Sequence, residues 1–148
     1  MSESVSGLTC APVRMSIFSL PWHITVARVA VERYCELLGF SERSRSEVAL
    51  SVGEALANVI KHAYHGKEDR PIEIVMERIL VDGKDALKIE IMDRGEHIDP
   101  EKIKSRDLDE VRPGGLGVHI MKRCMDRVDY APLPQGGTKL TMTKFRCS

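Results

Sequence analysis

Two apolar runs with alternating side chains, separated by an Asp-Gly pair, constrain the fold of this chain more than any other feature. The alternating apolar positions are Ile72, Ile74 and Met76 in the first run, and Leu87, Ile89 and Ile91 in the second. Alternation with a period of two is typical of a strand with one buried face, and Asp82-Gly83 is a strong signal for a tight turn. We therefore expect a β-hairpin within a sheet that buries one face.

A helical pattern precedes the hairpin. Apolar residues recur three and four positions apart in residues 21–38, where Pro21 suits a first helical position and Gly39 a C-terminal cap. This spacing predicts an amphipathic helix over residues 21–38, entered directly from a short β-prone run at residues 14–20.

A second helix is predicted from near Arg45 to Tyr64, because Ser44-Arg45-Ser46-Glu47 has the form of a capping box and His65-Gly66 can end it. At 100° per residue this helix has two faces. The polar arc contains Glu47, Ser51, Glu54, Asn58 and His62. The opposite, apolar face contains Val48, Val52, Ala55, Leu56, Val59 and Ile60.

Glu54 and Asn58 lie one turn apart within the polar arc. An Asn oxygen is a hard neutral ligand for magnesium, and a carboxylate can accept a proton from an attacking hydroxyl. The pair therefore fits a magnesium and phosphoryl site, whereas the arc by itself is equally the solvated face of an ordinary surface helix.

The composition of the chain changes in its C-terminal half. Residues 99–112 are mostly charged, with apolar residues too sparse to bury a helical face, and predict a mobile surface segment. A third helix is expected over about 116–126, followed by a strand at 126–130, a turn, and a last strand at 138–145.

This order of elements predicts an α+β fold. We expect a two-layer sandwich with a mixed, mainly antiparallel sheet and three main helices on one face. At 148 residues the chain fits one domain, predicted here as residues 13–148 after a flexible N-terminus at residues 1–12.

Charge and cysteine content exclude several classes of function. Lys and Arg total 22, as do Asp and Glu, so no overall charge attracts nucleic acid or an anionic membrane. No stretch reads as a signal peptide or membrane span, which predicts a cytoplasmic protein. The cysteines have no paired spacing and are expected to be reduced; they are Cys10, Cys35, Cys124 and Cys147.

A glycine-rich loop, Pro113-Gly114-Gly115-Leu116-Gly117-Val118-His119, precedes the third helix. It lacks the third glycine of a Rossmann loop and the Gly-Lys-Ser/Thr of a Walker A loop. Glycines let a backbone approach an anion closely, and amides at a helix N-terminus attract phosphate. The loop by itself fits a phosphate site and a flexible helix entry equally well.

Two further sites follow apolar strands. Asp93 ends the run at Ile91, and its carboxylate can accept a hydrogen bond from an exocyclic amine, with Gly95 allowing a planar ring to approach. An ordinary Asx turn explains the same residues. The hydroxyl of Thr138, after Gly136-Gly137, can join the same pocket or lie in a hairpin turn.

Together these elements resemble the ATP-binding signature of the Bergerat fold, which defines the GHKL superfamily of ATPases and kinases. Four segments match its boxes in order: EALANVIKH (54–62), DRG (93–95), GGLGVHIM (114–121) and GGT (136–138). Within that superfamily the chain is most similar to the anti-sigma factor serine kinases. The resemblance extends from about Arg14 onward and is strongest in RPGGLGVHIMKRCMDRVDY (112–130).

The resemblance implies specific roles for individual residues. Glu54 takes the position of the catalytic carboxylate, Asn58 that of the magnesium ligand, and Asp93 that of the residue that reads adenine. An ATP lid is implied at about residues 99–115. The other residues that the resemblance assigns to ATP are His62, Gly95, Ile98, Gly114, Gly115, Leu116, Gly117, Val118 and Thr138.

The implied activity is transfer of phosphate from ATP, with Mg²⁺, to a serine or threonine of an anti-anti-sigma protein of the STAS type. The resemblance also implies binding of a sigma factor and a homodimer, with no direct contact to nucleic acid or membrane. Two alternatives share the fold: a switch kinase that phosphorylates a STAS protein without binding a sigma factor, and a non-catalytic ATP-sensing module. The carboxylate at Glu54 argues against the pure sensor.

Overall fold

The computed structural model describes residues 11–95 and 117–147. In chain order these residues form β1 (Val13–Phe18), α1 (Pro21–Leu37), α2 (Glu42–Asn58), β2 (Pro71–Val81), β3 (Lys84–Met92), α3 (Gly117–Cys124), β4 (Arg127–Pro132) and β5 (Thr138–Phe145). The first ten residues of the predicted N-terminal extension and the whole predicted lid lie outside the described residues.

The strands form one five-stranded sheet in the order β1-β2-β3-β5-β4, and all four neighbouring pairs are antiparallel. The sequence predicts a mixed, mainly antiparallel sheet, and pairing among the described strands is antiparallel throughout. The predicted hairpin is formed by β2 and β3, and the φ angles of Asp82 and Gly83 in its turn are 52° and 79°. Two positive φ angles are what a two-residue hairpin turn requires.

One face of the sheet is covered by the three helices. α1 packs against α2, and α2 packs against α3. The alternating residues of β2 and β3 lie in the core beneath them, each at most 2% exposed: Ile72, Ile74, Met76, Leu87, Ile89 and Ile91. The predicted α+β sandwich is confirmed, with the helices on the face that the alternation marks as apolar.

α2 begins one turn earlier than the capping box predicts. Ser41, rather than Ser44, is the N-cap, and its hydroxyl accepts a hydrogen bond from the Ser44 amide at 3.2 Å. Glu42 then lies in the first turn, where a negative charge favours the helix dipole. Glu47 has another partner, because its carboxylate lies 3.6 Å from the ammonium group of Lys144.

α3 is shorter than the predicted helix over residues 116–126. It ends at Cys124, whose carbonyl accepts a hydrogen bond from the Lys144 ammonium group. Asp126 is already bound to β5: its amide donates to Thr143 O at 2.9 Å, and its carboxylate accepts from the Phe145 amide at 2.7 Å. The bond to Thr143 O replaces the helical bond that the Asp126 amide would otherwise make, whereas the Met125 amide still donates to Met121 O at 2.8 Å.

The hydrogen-bonding pattern of α2 changes directly after Asn58. Val59–Ala63 form a π-helix, in which the Tyr64 amide bonds to Val59 O at 3.0 Å. The helical path therefore ends about where the sequence predicts, but with a wider final turn. The angle of 100° per residue that places His62 in the polar arc does not apply across this turn, and π turns of this kind are frequent at functional sites.

Cys35 is fully buried on α1, and burial, reinforced by the charge of Glu32, raises the pKa of its thiol to about 12. Since the thiolate is the reactive form, we expect iodoacetamide at pH 8 to modify the exposed Cys147 and to leave Cys35 unmodified in the native protein. Peptide mass spectrometry measures both positions, with urea-unfolded protein as the control. Equal labelling of Cys35 and Cys147 in the native state would contradict the burial.

None of the helices in the two described ranges is long and apolar enough to span a bilayer.

Candidate functional site

A backbone hydrogen bond at Asp93 connects the end of β3 to the start of β5. The Asp93 amide donates a hydrogen bond to Thr138 O at 3.1 Å, and the Asp93 carboxylate accepts one from the Gly95 amide at 3.0 Å. Asp93 is 2% exposed and Thr138 is 3% exposed. Two residues that are 45 positions apart in sequence, and that the sequence assigns to one pocket, are therefore adjacent in the fold.

Two glycines, Gly95 and Gly137, allow backbone segments to approach each other closely around Asp93. A Cβ atom on Gly95 would lie 2.3 Å from Ala63 O, at the end of the π turn, and one on Gly137 would lie 2.0 Å from Asp93 O. Both distances are far below any van der Waals contact, so a side chain at either position forces the backbone apart. Close approach at these glycines fixes the Asp93 loop between the end of α2 and the start of β5.

Gly137→Ala is expected to lower nucleotide affinity by about tenfold, because the added Cβ displaces the Asp93 carbonyl and small misplacements in a site are costly. Gly136→Ala is the matched control. Gly136 also has a positive φ, 100° against 93° for Gly137, but no atom lies within 4 Å of its added Cβ. Titration calorimetry with ATP compares the two variants, and an equal loss of affinity in both would show that backbone strain alone is responsible.

The side chain of Asn58 is buried with an unsatisfied donor. It is 4% exposed, and its Nδ2 has no hydrogen-bond partner among the described residues. Leaving a buried donor unsatisfied costs about 1–3 kcal/mol, and native structures keep few such groups. Together with the fully buried Ser51 in the same arc, it excludes a purely solvated polar face for α2. Asn58 is instead held ready for an acceptor that the described residues do not provide.

Glu54 lies one turn before Asn58, on the regular part of α2, so both side chains project from the same side of the helix. Its side chain is half-buried, which leaves the carboxylate open to a substrate. His62 is also half-buried and lies within the π turn. The structure therefore keeps the predicted relation of Glu54 to Asn58 and places His62 in the turn that directly follows Asn58.

The glycine loop is described only from its last residues. Gly117 begins α3, and the side chain of Val118 is 1% exposed and packs in the core, so Val118 can offer the site only its backbone amide. The other predicted contacts to ATP in this region lie outside the described residues: Ile98, Gly114, Gly115 and Leu116.

Tyr64 is a site residue that the sequence analysis does not identify. Its hydroxyl accepts a hydrogen bond from the Arg94 amide at 2.7 Å and donates one to Pro71 O at 2.6 Å. Burial raises the pKa of this hydroxyl, so it is protonated and can donate. A tyrosine at the end of an amphipathic helix signals a buried ring that needs a polar partner, but it does not indicate which loop supplies it.

The structure brings Asp93, Thr138 and the π turn that follows Asn58 together at one end of the sheet. A buried carboxylate at Asp93 can read an amine, the amide of Asn58 can hold a cation or a phosphate oxygen, and the half-buried Glu54 can accept a proton. This combination fits a nucleotide and its phosphates. Residues 17–144 match the family of histidine kinase-like ATPase domains. The chain therefore belongs to this family.

Within the histidine kinase-like ATPase family, curated relatives are serine-protein kinases named RsbW. The protein of Oceanobacillus iheyensis is 30% identical over 141 residues, covering 90% of this chain and 85% of its own. Those of Bacillus pumilus and Listeria monocytogenes are 28% and 27% identical, with 90% of this chain covered in both cases and 85% and 86% of theirs. The RsbW relatives thus match nearly the whole chain.

Solved structures agree with this fold. The RsbU and RsbW domains of a Mycobacterium tuberculosis protein superpose with a TM-score of 0.64 at 13% identity, covering 93% of this chain and 33% of that chain. The SiaB–SiaC complex of Pseudomonas aeruginosa gives a TM-score of 0.56 at 12% identity, covering 97% and 96%. At such low identity these similarities establish the histidine kinase-like fold alone.

Proposed function

We propose that this chain is an ATP-dependent protein kinase that phosphorylates a serine or threonine of a STAS-type anti-anti-sigma protein and also acts as an anti-sigma factor. The observation that carries the proposal is the buried, unsatisfied amide of Asn58, one helical turn from Glu54. Membership of the histidine kinase-like ATPase family supports the use of ATP. The curated relatives' name, serine-protein kinase, supports the class of reaction.

Binding of ATP is assigned to three parts of the chain. Asp93 accepts a hydrogen bond from the exocyclic amine of adenine. Thr138 follows Gly137, the glycine that lies close to the Asp93 carbonyl, and completes the adenine end of the site. The Oδ1 atom of Asn58 is a hard ligand for Mg²⁺, and its Nδ2 donor is available to a phosphate oxygen. When bound, Mg²⁺ neutralises charge on the phosphates.

The chemical step needs little from the protein beyond positioning and charge. Glu54 orients the hydroxyl of the partner's serine or threonine and accepts its proton as the oxygen bonds to the γ-phosphorus and the bond to ADP breaks. The amides of Gly114–Val118 are assigned to the phosphate oxygens, where they stabilise the transferring group. His62, Gly95 and Ile98 complete the proposed contacts to the nucleotide.

A homodimer and a protein partner also belong to this proposal. α1 exposes apolar side chains at positions four and three residues apart, with Trp22 at 65%, Val26 at 51% and Val29 at 62% exposure. A contiguous apolar stripe of this kind is typical of a protein interface. We assign α1 to contacts with other protein chains rather than with nucleic acid or membrane.

Affinity capture from the native cell, with and without ATP, tests the choice of partner. The tagged chain is used as bait, and bound proteins are identified by mass spectrometry. Recovery of a sigma factor together with a STAS protein supports the anti-sigma kinase, and a STAS protein alone supports the switch kinase. If neither class is enriched over a Glu54→Gln, Asn58→Leu double variant and over untagged extract, the proposed partners are wrong.

A further inference from the structure

A second pocket lies on the loop between α2 and β2, and we call it the loop pocket. Its volume is about 360 Å³, and its lining includes Tyr64, Lys67, Arg70, Pro71, Arg94 and Gly95. Its volume is at the lower end of the range of ligand pockets. Three residues of the proposed ATP site, Asn58, Asp93 and Thr138, are not among the described residues that line the loop pocket. The loop pocket therefore adjoins the proposed ATP site through Arg94 and Gly95 but is distinct from it.

The charged side chains among the described lining residues of the loop pocket are all basic. Three permanent cations line it, Lys67, Arg70 and Arg94, and none of its described lining residues is acidic. Asp69 lies 3.5 Å from Arg70, with side-chain exposures of 81% and 46%, and solvent-exposed ion pairs of this kind contribute little. Within residues 11–95 and 117–147, no carboxylate forms an ion pair with Lys67 or Arg94. In a chain with no net charge, this concentration of cations selects an anion.

The loop that carries these cations is held in place by the end of β1. The Ser19 hydroxyl donates a hydrogen bond to Lys67 O at 2.5 Å and accepts one from the Arg70 amide at 3.1 Å. The Ser19 amide donates to Arg70 O at 2.8 Å. Ser19 is fully buried, so these bonds fix the backbone at both Lys67 and Arg70.

The backbone of Arg94, the third cationic residue, is fixed by Tyr64, which also lines the loop pocket. Tyr64, which is 4% exposed, binds the Arg94 amide and the Pro71 carbonyl through its hydroxyl. The backbone at all three cations is thus fixed before any ligand arrives, which lowers the entropic cost of binding. The hydrogen bonds of Ser19 and Tyr64 distinguish the loop pocket from a chance group of surface lysines and arginines.

We propose that the loop pocket binds an acidic segment of the phosphoacceptor protein through its carboxylates, as a docking site separate from the ATP site. This inference rests on the proposed kinase function. A single small anion gains little from cations that are open to solvent and screened by salt. Several carboxylates on one chain engage Lys67, Arg70 and Arg94 together, so their weak individual contributions combine. Gly95, which belongs to both sites, brings the docked partner next to the nucleotide.

Charge reversal at Lys67 tests this docking site. Lys67→Glu is expected to raise the KM for the purified STAS phosphoacceptor by about tenfold or more at low salt, with kcat and ATP affinity unchanged, because it repels the segment without touching the nucleotide. Lys84→Glu is the matched control, since Lys84 is also exposed but lies at the β2–β3 turn, at the opposite end of β2. Equal KM values in the two variants overturn the proposal.

Direct binding separates failure of the docking site from failure of the kinase assignment. A fluorescent hexaglutamate peptide is titrated with the wild-type chain, Lys67→Glu and Lys84→Glu, with inorganic phosphate as competitor. We expect saturable binding to the wild-type chain and to Lys84→Glu, and at least about tenfold weaker binding to Lys67→Glu. If no STAS protein is phosphorylated, this result still supports an acidic-segment site. Equal binding by all three proteins overturns it, as does phosphate binding as tight as that of the peptide.

Discussion

Glu54→Gln is expected to lower phosphoryl transfer by about 100-fold or more while ATP affinity stays unchanged. Glutamine keeps the size and the hydrogen-bonding reach of the side chain but cannot accept the proton of the attacking hydroxyl. General-base catalysis typically contributes about 10²–10⁴-fold to a rate. Transfer of labelled phosphate to the STAS protein measures the rate, and calorimetry measures the ATP affinity.

The control for this substitution lies on the same helix. Glu42 is exposed in the first turn of α2, so Glu42→Gln removes the same charge far from the predicted site and should leave transfer at the wild-type rate. Transfer by Glu54→Gln at the rate of Glu42→Gln would remove Glu54 from the chemistry. A parallel loss of ATP affinity would instead give Glu54 a role in binding.

Asn58→Leu is expected to change stability and binding in opposite directions. Leucine has the same branched side-chain shape and no unsatisfied donor, so the free energy of unfolding without nucleotide should rise by about 1 kcal/mol. Magnesium-dependent ATP affinity should fall by about 100-fold or more, because even residues that only support a metal ligand contribute about 10–100-fold. Urea unfolding and calorimetry with and without Mg²⁺ measure the two effects.

Ala57→Leu is the control for introducing leucine into this helix. Ala57 is exposed and adjacent to Asn58 in sequence, so the substitution should leave ATP affinity unchanged. Unchanged affinity in Asn58→Leu would place the nucleotide elsewhere. A clear loss of stability in Asn58→Leu would mean that the buried amide contributes to the apo fold through contacts outside the described residues.

The sheet and its buried face could be predicted from local patterns. Alternation at Ile72–Met76 and Leu87–Ile91 marks the face that the helices cover, and Asp82-Gly83 marks the turn between them. Periodicity also predicts α1 almost to the residue, with Gly39 at a φ of 88° after its end. These features depend on neighbours in sequence, which is why the sequence is sufficient for them.

The details of α2 could not be predicted in the same way. Two serines, Ser41 and Ser44, both suit an N-cap, and the structure uses Ser41, while the Glu47 carboxylate lies beside Lys144 of β5. The π turn after Asn58 depends on how the end of α2 packs against the Asp93 loop, where Ala63 O meets Gly95. Both features are accompanied by contacts between residues that are distant in sequence, which local patterns do not reveal.

In the candidate site too, local sequence patterns predict some features but not those that involve contacts between distant residues. Glu54, Asn58, Asp93 and Thr138 follow from motif and helical spacing, and the structure brings Asp93 and Thr138 into direct contact. The hydrogen bond that the Arg94 amide donates to the Tyr64 hydroxyl carries no sequence signal, because it joins residues 30 positions apart. The loop pocket has the same origin, since Arg94 joins Lys67 and Arg70 only through this fold.

Phosphoryl transfer to a defined residue tests the central claim most directly. The purified chain is incubated with γ-labelled ATP, Mg²⁺ and a STAS protein of the same cell, and the labelled residue is identified by mass spectrometry. We predict label on one serine or threonine of the STAS protein, and no label when EDTA removes Mg²⁺. ATP binding without transfer to any STAS protein, or label on a histidine of this chain instead, would contradict the assignment.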